Sequence, residues 1–181
     1  MKVRLVARET EESVSVQKSM VPAEKIIEFN EAMVSEAERR GYFYDKYTGC
    51  CAQSTLLPIQ ELFGLGGKMT YKAATLFFGG VSGSGHTCGA LVGGVMALGL
   101  KYGREEPNVE RSHSEVQDIG LRLVKWFEKE YGTTSCRDLT GYDLTDEKAK
   151  EEFLASAVHE ECFKRCGKVA GKVAEILNEL G

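Results

Sequence analysis

The sequence has no block of lysine or arginine, and its 23 basic residues are outweighed by 27 acidic ones, for a formal charge of −4. A nucleic-acid partner ordinarily requires a basic face that neutralises phosphates, so that class is set aside. No apolar run reaches membrane length. The longest weakly charged stretch, Thr87 to Leu100, falls short of the roughly 20 residues that a spanning helix needs. The opening Met1-Lys-Val-Arg-Leu-Val-Ala-Arg-Glu has no apolar region of a secretory signal, which predicts a cytoplasmic protein without membrane insertion. Strand-like alternation is almost absent, as are internal repeats and low-complexity linkers. There is no Cys-x-x-Cys pair and no Cys-x-x-Cys-His haem signature. The glycine loop Gly79–Gly85 lacks the Lys-[Ser/Thr] ending of a P-loop, and no strand precedes it.

What is present is helical. At 181 residues, 43% apolar and 28% charged, the chain is long enough for one domain with a core of its own. Residues 1–20 are polar and aperiodic and are expected as an arm or short edge strand, followed by a helical domain over residues 21–181. Helix spacing predicts a first helix from Pro22, with Ile26, Ile27, Met33, Val34 and Ala37 inward and Gly41 as its stop. A second runs from about Thr48 to Gly64, with Pro58 expected to kink it. A short one covers Thr70–Phe78, and another begins at Cys88 and ends at Gly103. Ser112-His-Ser-Glu115 reads as a capping box for an amphipathic helix carrying Val116, Ile119, Leu123, Phe127 and Tyr131. Another helix enters at Thr134-Ser-Cys136, and the last helices cover Asp146–Leu180. Their inward seam is Cys162, Cys166, Val169, Val173, Ile176 and Leu180. The fold class is therefore all-α, a single compact bundle of six or seven helices.

Six cysteines remain to be explained: Cys50, Cys51, Cys88, Cys136, Cys162 and Cys166. In a reducing compartment such a number points to metal-binding or redox chemistry rather than a disulfide frame, although a buried cysteine also serves as a small core residue. Cys51, Cys88 and Cys136 each fall at a predicted helix start. Unpaired N–H groups and the positive end of the helix dipole favour a thiolate there, so their pKa values are expected to be lowered. If those starts converge, they form a thiolate pocket. Cys162 and Cys166 share one helix face and either pack or point to the same place. Gly89, Gly93 and Ala97 form a smooth stripe that admits close approach of another backbone, within the fold or across a homo-oligomer.

The order Cys51-Ala-Gln, Thr87-Cys88-Gly-Ala-x-x-Gly93, Cys136-Arg-Asp-Leu and a late Cys166 resembles the C_GCAxxG_C_C family of redox-active proteins, over roughly residues 45–180. The resemblance implies that Cys51, Cys88, Cys136 and Cys166 are the four characteristic cysteines, the catalytic or metal-binding set, with Cys50 and Cys162 additional. It implies redox activity with a redox partner that the sequence does not name, and no particular reaction.

Four thiols suit an iron–sulfur cluster or another thiolate-bound metal, since soft sulfur ligands select these. The ligands would come from four distant segments, with Gln53 and His86 as nearby cofactor-binding candidates, or simply as helix-capping groups. A metal-free thiol–disulfide oxidoreductase is the second reading, with Cys88 attacking and Cys136 or Cys51 resolving. The third is a non-enzymatic module whose cysteines pack or hold a structural metal. An oxidoreductase and an electron-transfer protein both remain open at this level.

Overall fold

The computed structural model describes residues 23–106 and 113–181. The expected arm over residues 1–20, Pro22 and the cap residue Ser112 lie outside them. Among the described residues there are eight α-helices and no strand, only one isolated β-bridge. The all-α expectation holds, and the helix count exceeds six or seven because two pieces are single short turns. The helices are α1 (Ala23–Thr48), α2 (Cys51–Phe63), α3 (Lys68–Ala73), α4 (Gly89–Tyr102), α5 (His113–Tyr131), α6 (Cys136–Thr140), α7 (Glu147–Ala155) and α8 (Ala157–Leu180). The expected helix over Thr70–Phe78 is instead α3 followed by a tighter 3-10 turn, Ala74–Phe77.

Helix α1 does not stop at Gly41 but runs seven residues beyond it, to Thr48. The glycine has a packing role instead. A Cβ at Gly41 would stand 2.8 Å from the Cys166 carbonyl oxygen and 3.0 Å from the Gly167 Cα, both on α8. Gly167 answers from the other side, its would-be Cβ lying 2.6 Å from the Glu38 carbonyl. Asn178 Nδ2 donates to the Asn30 carbonyl at 3.2 Å further along. Contacts that descend on α8 as they ascend on α1 make the two helices antiparallel, backbone to backbone. Ala37, Gly41 and Asp45 lie on this inward stripe at steps of four, with Ala37 and Asp45 buried. Ile26 and Ile27, expected to be inward, are 38% and 58% exposed.

The core is built mainly from α2, α4, α5 and α8. Leu56 and Ile59, Leu123 and Phe127, and Val169, Val173 and Ile176 are almost wholly shielded from water. The seam on α8 is thus as expected through Ile176, whereas Leu180 is 43% exposed and Cys162 is only partly buried. The small-residue stripe on α4 faces α2. A Cβ at Gly93 would lie 2.2 Å from the Ala52 carbonyl oxygen, and one at Gly89 would lie 2.3 Å from the Cys51 sulfur. Within this fold the stripe lets two helix starts come together.

Candidate functional site: a group of thiols at three helix starts

Each of the three helix-start cysteines is where the spacing predicts. Cys51 is the first residue of α2 behind the cap Cys50, Cys88 is the cap of α4, and Cys136 opens α6. The Ser135 hydroxyl caps α6 by accepting from the Asp138 N–H at 3.2 Å. Sequence spacing says nothing about how these starts meet. Two of them are joined by the isolated antiparallel bridge between Thr87 and Ser135. The Cys88 N–H donates to the Thr134 carbonyl at 2.8 Å, and the Cys136 N–H donates to the His86 carbonyl at 2.7 Å. A minimal two-strand clasp therefore holds the starts of α4 and α6 side by side.

The glycine loop supports that clasp. Five successive residues, Gly79 to Gly83, have φ between 55° and 79°, one left-handed turn that only glycine enters without cost. Val81 and Ser82 are the two non-glycine members. A Cβ at Gly80 would lie 2.6 Å from the Cys136 Cβ and 2.6 Å from the His86 carbonyl oxygen. The loop is thus moulded against Cys136. Its far side is pinned by Arg137, whose N–H donates to the Gly85 carbonyl at 3.0 Å and whose guanidinium pairs with Asp143 at 2.7 Å.

Helix α8 supplies the remaining sulfurs. The Cys166 thiol donates to the Cys51 carbonyl at 3.7 Å, which fixes α8 against the start of α2. Cys162 lies one turn earlier, and Arg165 Nη1 donates to its sulfur at 3.5 Å. Were they ionised, Cys88 and Cys136 would push the Cys51 pKa up, and Cys51, Cys88 and Cys162 would do the same to Cys166. Five thiols from four segments therefore lie near one another, Cys88, Cys136 and Cys166 buried and Cys51 and Cys162 partly buried. All six cysteines are free. Cys50 faces away, its thiol donating to the Thr75 carbonyl at 3.5 Å.

The surroundings do not lower the thiol pKa values as the helix starts led us to expect. Burial pushes Cys51 and Cys166 well up, and it raises Cys88 as well. Burial and the neighbouring Cys88 take Cys136 to about 12, and burial takes Cys162 to about 11. The helix-start effect is real but smaller. The N–H groups of Ala90 and Leu91 favour the Cys88 thiolate, and for Cys51 the lowering comes instead from the loop N–H of Gly79. Desolvation and mutual repulsion outweigh them, so at neutral pH these thiols keep their protons.

Three further polar side chains enter the same region; Tyr131 was expected only as an inward position of α5, and Asp45 and Arg165 were not singled out from the sequence. Asp45 on α1 is 3% exposed, and its Oδ1 has no hydrogen-bond partner. Burial raises its pKa, against the pull of the Cys166 thiol, the Ser54 hydroxyl, His159 and Arg165. Arg165 is 8% exposed, with its guanidinium carbon 5.1 Å from the centre of the Tyr131 ring and its Nε unpartnered. The Tyr131 hydroxyl is likewise buried without a partner, and burial takes its pKa to about 12. Arg165 was legible as a charged residue on the inward stripe of Cys162, Cys166 and Val169, whereas Asp45 lies beyond Gly41, where the first helix was expected to stop.

The two other sequence candidates stand apart from the sulfurs. The Gln53 amide donates to the Tyr71 carbonyl at 2.9 Å and to Thr75 Oγ1 at 2.8 Å, tying α2 to α3 and the 3-10 turn. His86 contributes its backbone to the clasp while its side chain is exposed. His159 sits between Phe153 and Phe163, with ring centres 4.8 and 4.6 Å away. Among the described residues, no three Cys, His, Asp or Glu side chains are arranged to hold a metal ion as they stand. No helix of these residues is long and apolar enough to cross a membrane.

A family model described as "Putative redox-active protein (C_GCAxxG_C_C)" matches residues 49–180. No curated protein and no solved structure matches the chain.

Proposed function

The chain belongs to the C_GCAxxG_C_C family, and from that premise we propose that Cys51, Cys88, Cys136 and Cys166 hold an iron–sulfur cluster in a one-electron redox protein. The observation that carries this reading is the proximity of thiols delivered by three helix starts and α8. The donor set fits the group. It is all soft sulfur, which selects iron–sulfur clusters and thiophilic metals over hard cations. Backbone N–H groups of Gly79, Ala90 and Leu91 favour the thiolate form of Cys51 and Cys88, and hydrogen bonds to sulfur are one of the ways a protein tunes such a cluster.

Thiol–disulfide exchange is the weaker reading. An attacking thiol needs thiolate character and access, whereas Cys88 and Cys136 are buried and their pKa values are raised. Ligation supplies what the protein alone lacks, because binding metal drives the protons off coordinating thiols. When bound, a cluster would supply one-electron transfer. The residues of this chain would hold it, shield it from water and place backbone donors beside its sulfur ligands.

Anaerobic reconstitution with ferrous iron and sulfide tests the reading. We expect a brown protein with matched iron and sulfide, lost in Cys88→Ser and retained in Cys50→Ser, since the Cys50 thiol is committed to Thr75. Uptake of zinc alone would point to a structural site. A colourless protein whose free-thiol count falls by two on mild oxidation would favour exchange. Equal loss in the two variants would remove the assignment of ligands.

A further inference from the structure

At the end of the bundle opposite the thiols, the start of α1 and the ends of α2, α4 and α8 enclose an apolar groove. It has a volume of about 580 Å³ and is walled by Ile26 and Phe29 on α1, Phe63 and Leu65 at the end of α2, and Leu177 on α8. That size falls within the ~300–1,000 Å³ of small-ligand pockets, which are mostly apolar with a few polar groups. Leu177 is 4% exposed and forms the floor, whereas Ile26 and Phe29 are left 38% and 62% exposed. Helical spacing marks Ile26 as inward, so its exposure is an apolar face that the described residues leave uncovered. Two ammonium groups, on Lys25 and Lys101, stand on the same groove, and no Asp or Glu side chain lines it. Lys101 has no ion-pair or hydrogen-bond partner among the described residues. Lys25 meets Glu28 only at 3.7 Å, with both side chains at least 70% exposed, a pair that holds it weakly. The exposed Gly181 borders the groove without pairing with either lysine. The Asn178 amide is committed to the Asn30 carbonyl, while the Asn30 side chain stands on the wall without a partner among the described residues.

We propose that this groove binds a single-chain alkyl carboxylate, its hydrocarbon covering Ile26, Phe29 and Leu177 and its head group held by Lys25 and Lys101. The apolar walls select the chain through the area it removes from water. The two ammonium groups, with no acidic side chain beside them on the wall, select an anion over an alcohol or a cation. Charge also argues against a second copy of this chain as the occupant. A two-fold contact through this face would bring the same patch against itself, and each pair of lysines would meet its own counterpart. A partner helix anchors through several successive turns laid in a long groove, whereas this one is confined to helix ends. The site uses none of the cysteines and no metal, so it stands independently of the cluster reading.

The test titrates the full chain with decanoate, below its micelle concentration, by isothermal calorimetry, with decanol and decyltrimethylammonium as head-group controls. Saturable binding of one decanoate per chain is expected, about tenfold tighter than decanol, with the cation weaker still. Lys101→Gln should weaken decanoate about fivefold and leave decanol unchanged. Phe29→Ala should weaken both ligands alike, because it removes wall and not charge. Both side chains are exposed, so the variants are expected to fold, which circular dichroism checks. Uptake without saturation, or decanol binding as tightly as decanoate, would overturn the proposal. So would decanoate affinity that neither variant changes, since the ligand would then sit elsewhere. Sedimentation of the wild type as a dimer that Phe29→Ala converts to a monomer would assign the groove to a second copy instead.

Discussion

Two glycines of α4 should respond to the same substitution with opposite sign. In a helix interior, replacing glycine by alanine is worth about 0.8–1 kcal/mol in its favour, through lost backbone freedom in the unfolded chain. At Gly99 nothing lies within 4 Å of the added methyl, so Gly99→Ala should stabilise by about that amount. At Gly93 the methyl would stand 2.2 Å from the Ala52 carbonyl oxygen and 3.0 Å from the Ala52 carbonyl carbon. These are backbone atoms of a neighbouring helix and cannot rotate away. Ordinary contact begins at 3.4 Å, so α2 and α4 must part by about 1 Å. Overpacking of this kind costs about 1–3 kcal/mol, and a rigid backbone contact belongs at the upper end. Less the propensity gain, Gly93→Ala should lose about 2 kcal/mol. Equilibrium urea unfolding followed by helical circular dichroism measures both. In a chain of this length the melting temperatures should move by about 2–4 °C per kcal/mol, up for the first variant and down for the second. A Gly93→Ala protein as stable as wild type would show that the two helices are not held in backbone contact.

Further outcomes follow from the same structure. The thiols and Tyr131 keep their protons longer in the fold than in the unfolded chain, with Cys162 at about 11 and Cys136 and Tyr131 at about 12. Their contribution to the stability of the metal-free protein is therefore intact below the unfolded thiol pKa of about 8.5 and is lost as pH rises toward 12; denaturant midpoints should hold from pH 7 to about 8.5 and then fall toward pH 11, and a profile flat to pH 11 would contradict buried thiols. Ser135→Ala removes the cap of α6 and the hydroxyl bond to the Gly85 carbonyl at 3.3 Å, so a loss of about 1 kcal/mol is expected, with faster alkylation of Cys136 seen by mass spectrometry. Val81→Gly relieves a non-glycine residue at φ 66° and should stabilise by about 1 kcal/mol; a loss of stability would mean that the side chain, not the turn, holds the loop.

The positions of Cys51, Cys88 and Cys136 at helix starts were legible because caps, glycines and apolar spacing are local signals, and helix boundaries respond to them. The same local logic failed at Gly41. A glycine inside a helical pattern reads as a stop when its neighbour across the interface is unknown, yet here it admits the backbone of α8 beside Cys166. It failed again for the thiol pKa values. The helix-start contribution could be named from sequence, but burial, which outweighs it, is a property of the packed interior. Arg165 was missed because a charged residue on a helix is ordinarily a solvated one, and Asp45 because the helix that carries it was expected to stop at Gly41.

By itself, the sequence determined an all-helical chain, the cysteine set and the smooth face of α4, since each depends on residues a few positions apart. Only the tertiary structure decided that the starts of α4 and α6 are clasped through the bridge at Thr87 and Ser135, that α8 brings Cys162 and Cys166 to them, and that Cys50 turns away. It also decided that a carboxyl, a guanidinium and a phenol are enclosed with the sulfurs. The reason is physical: periodicity specifies which face of a helix is inward, whereas what that face meets is set by the simultaneous packing of all the helices.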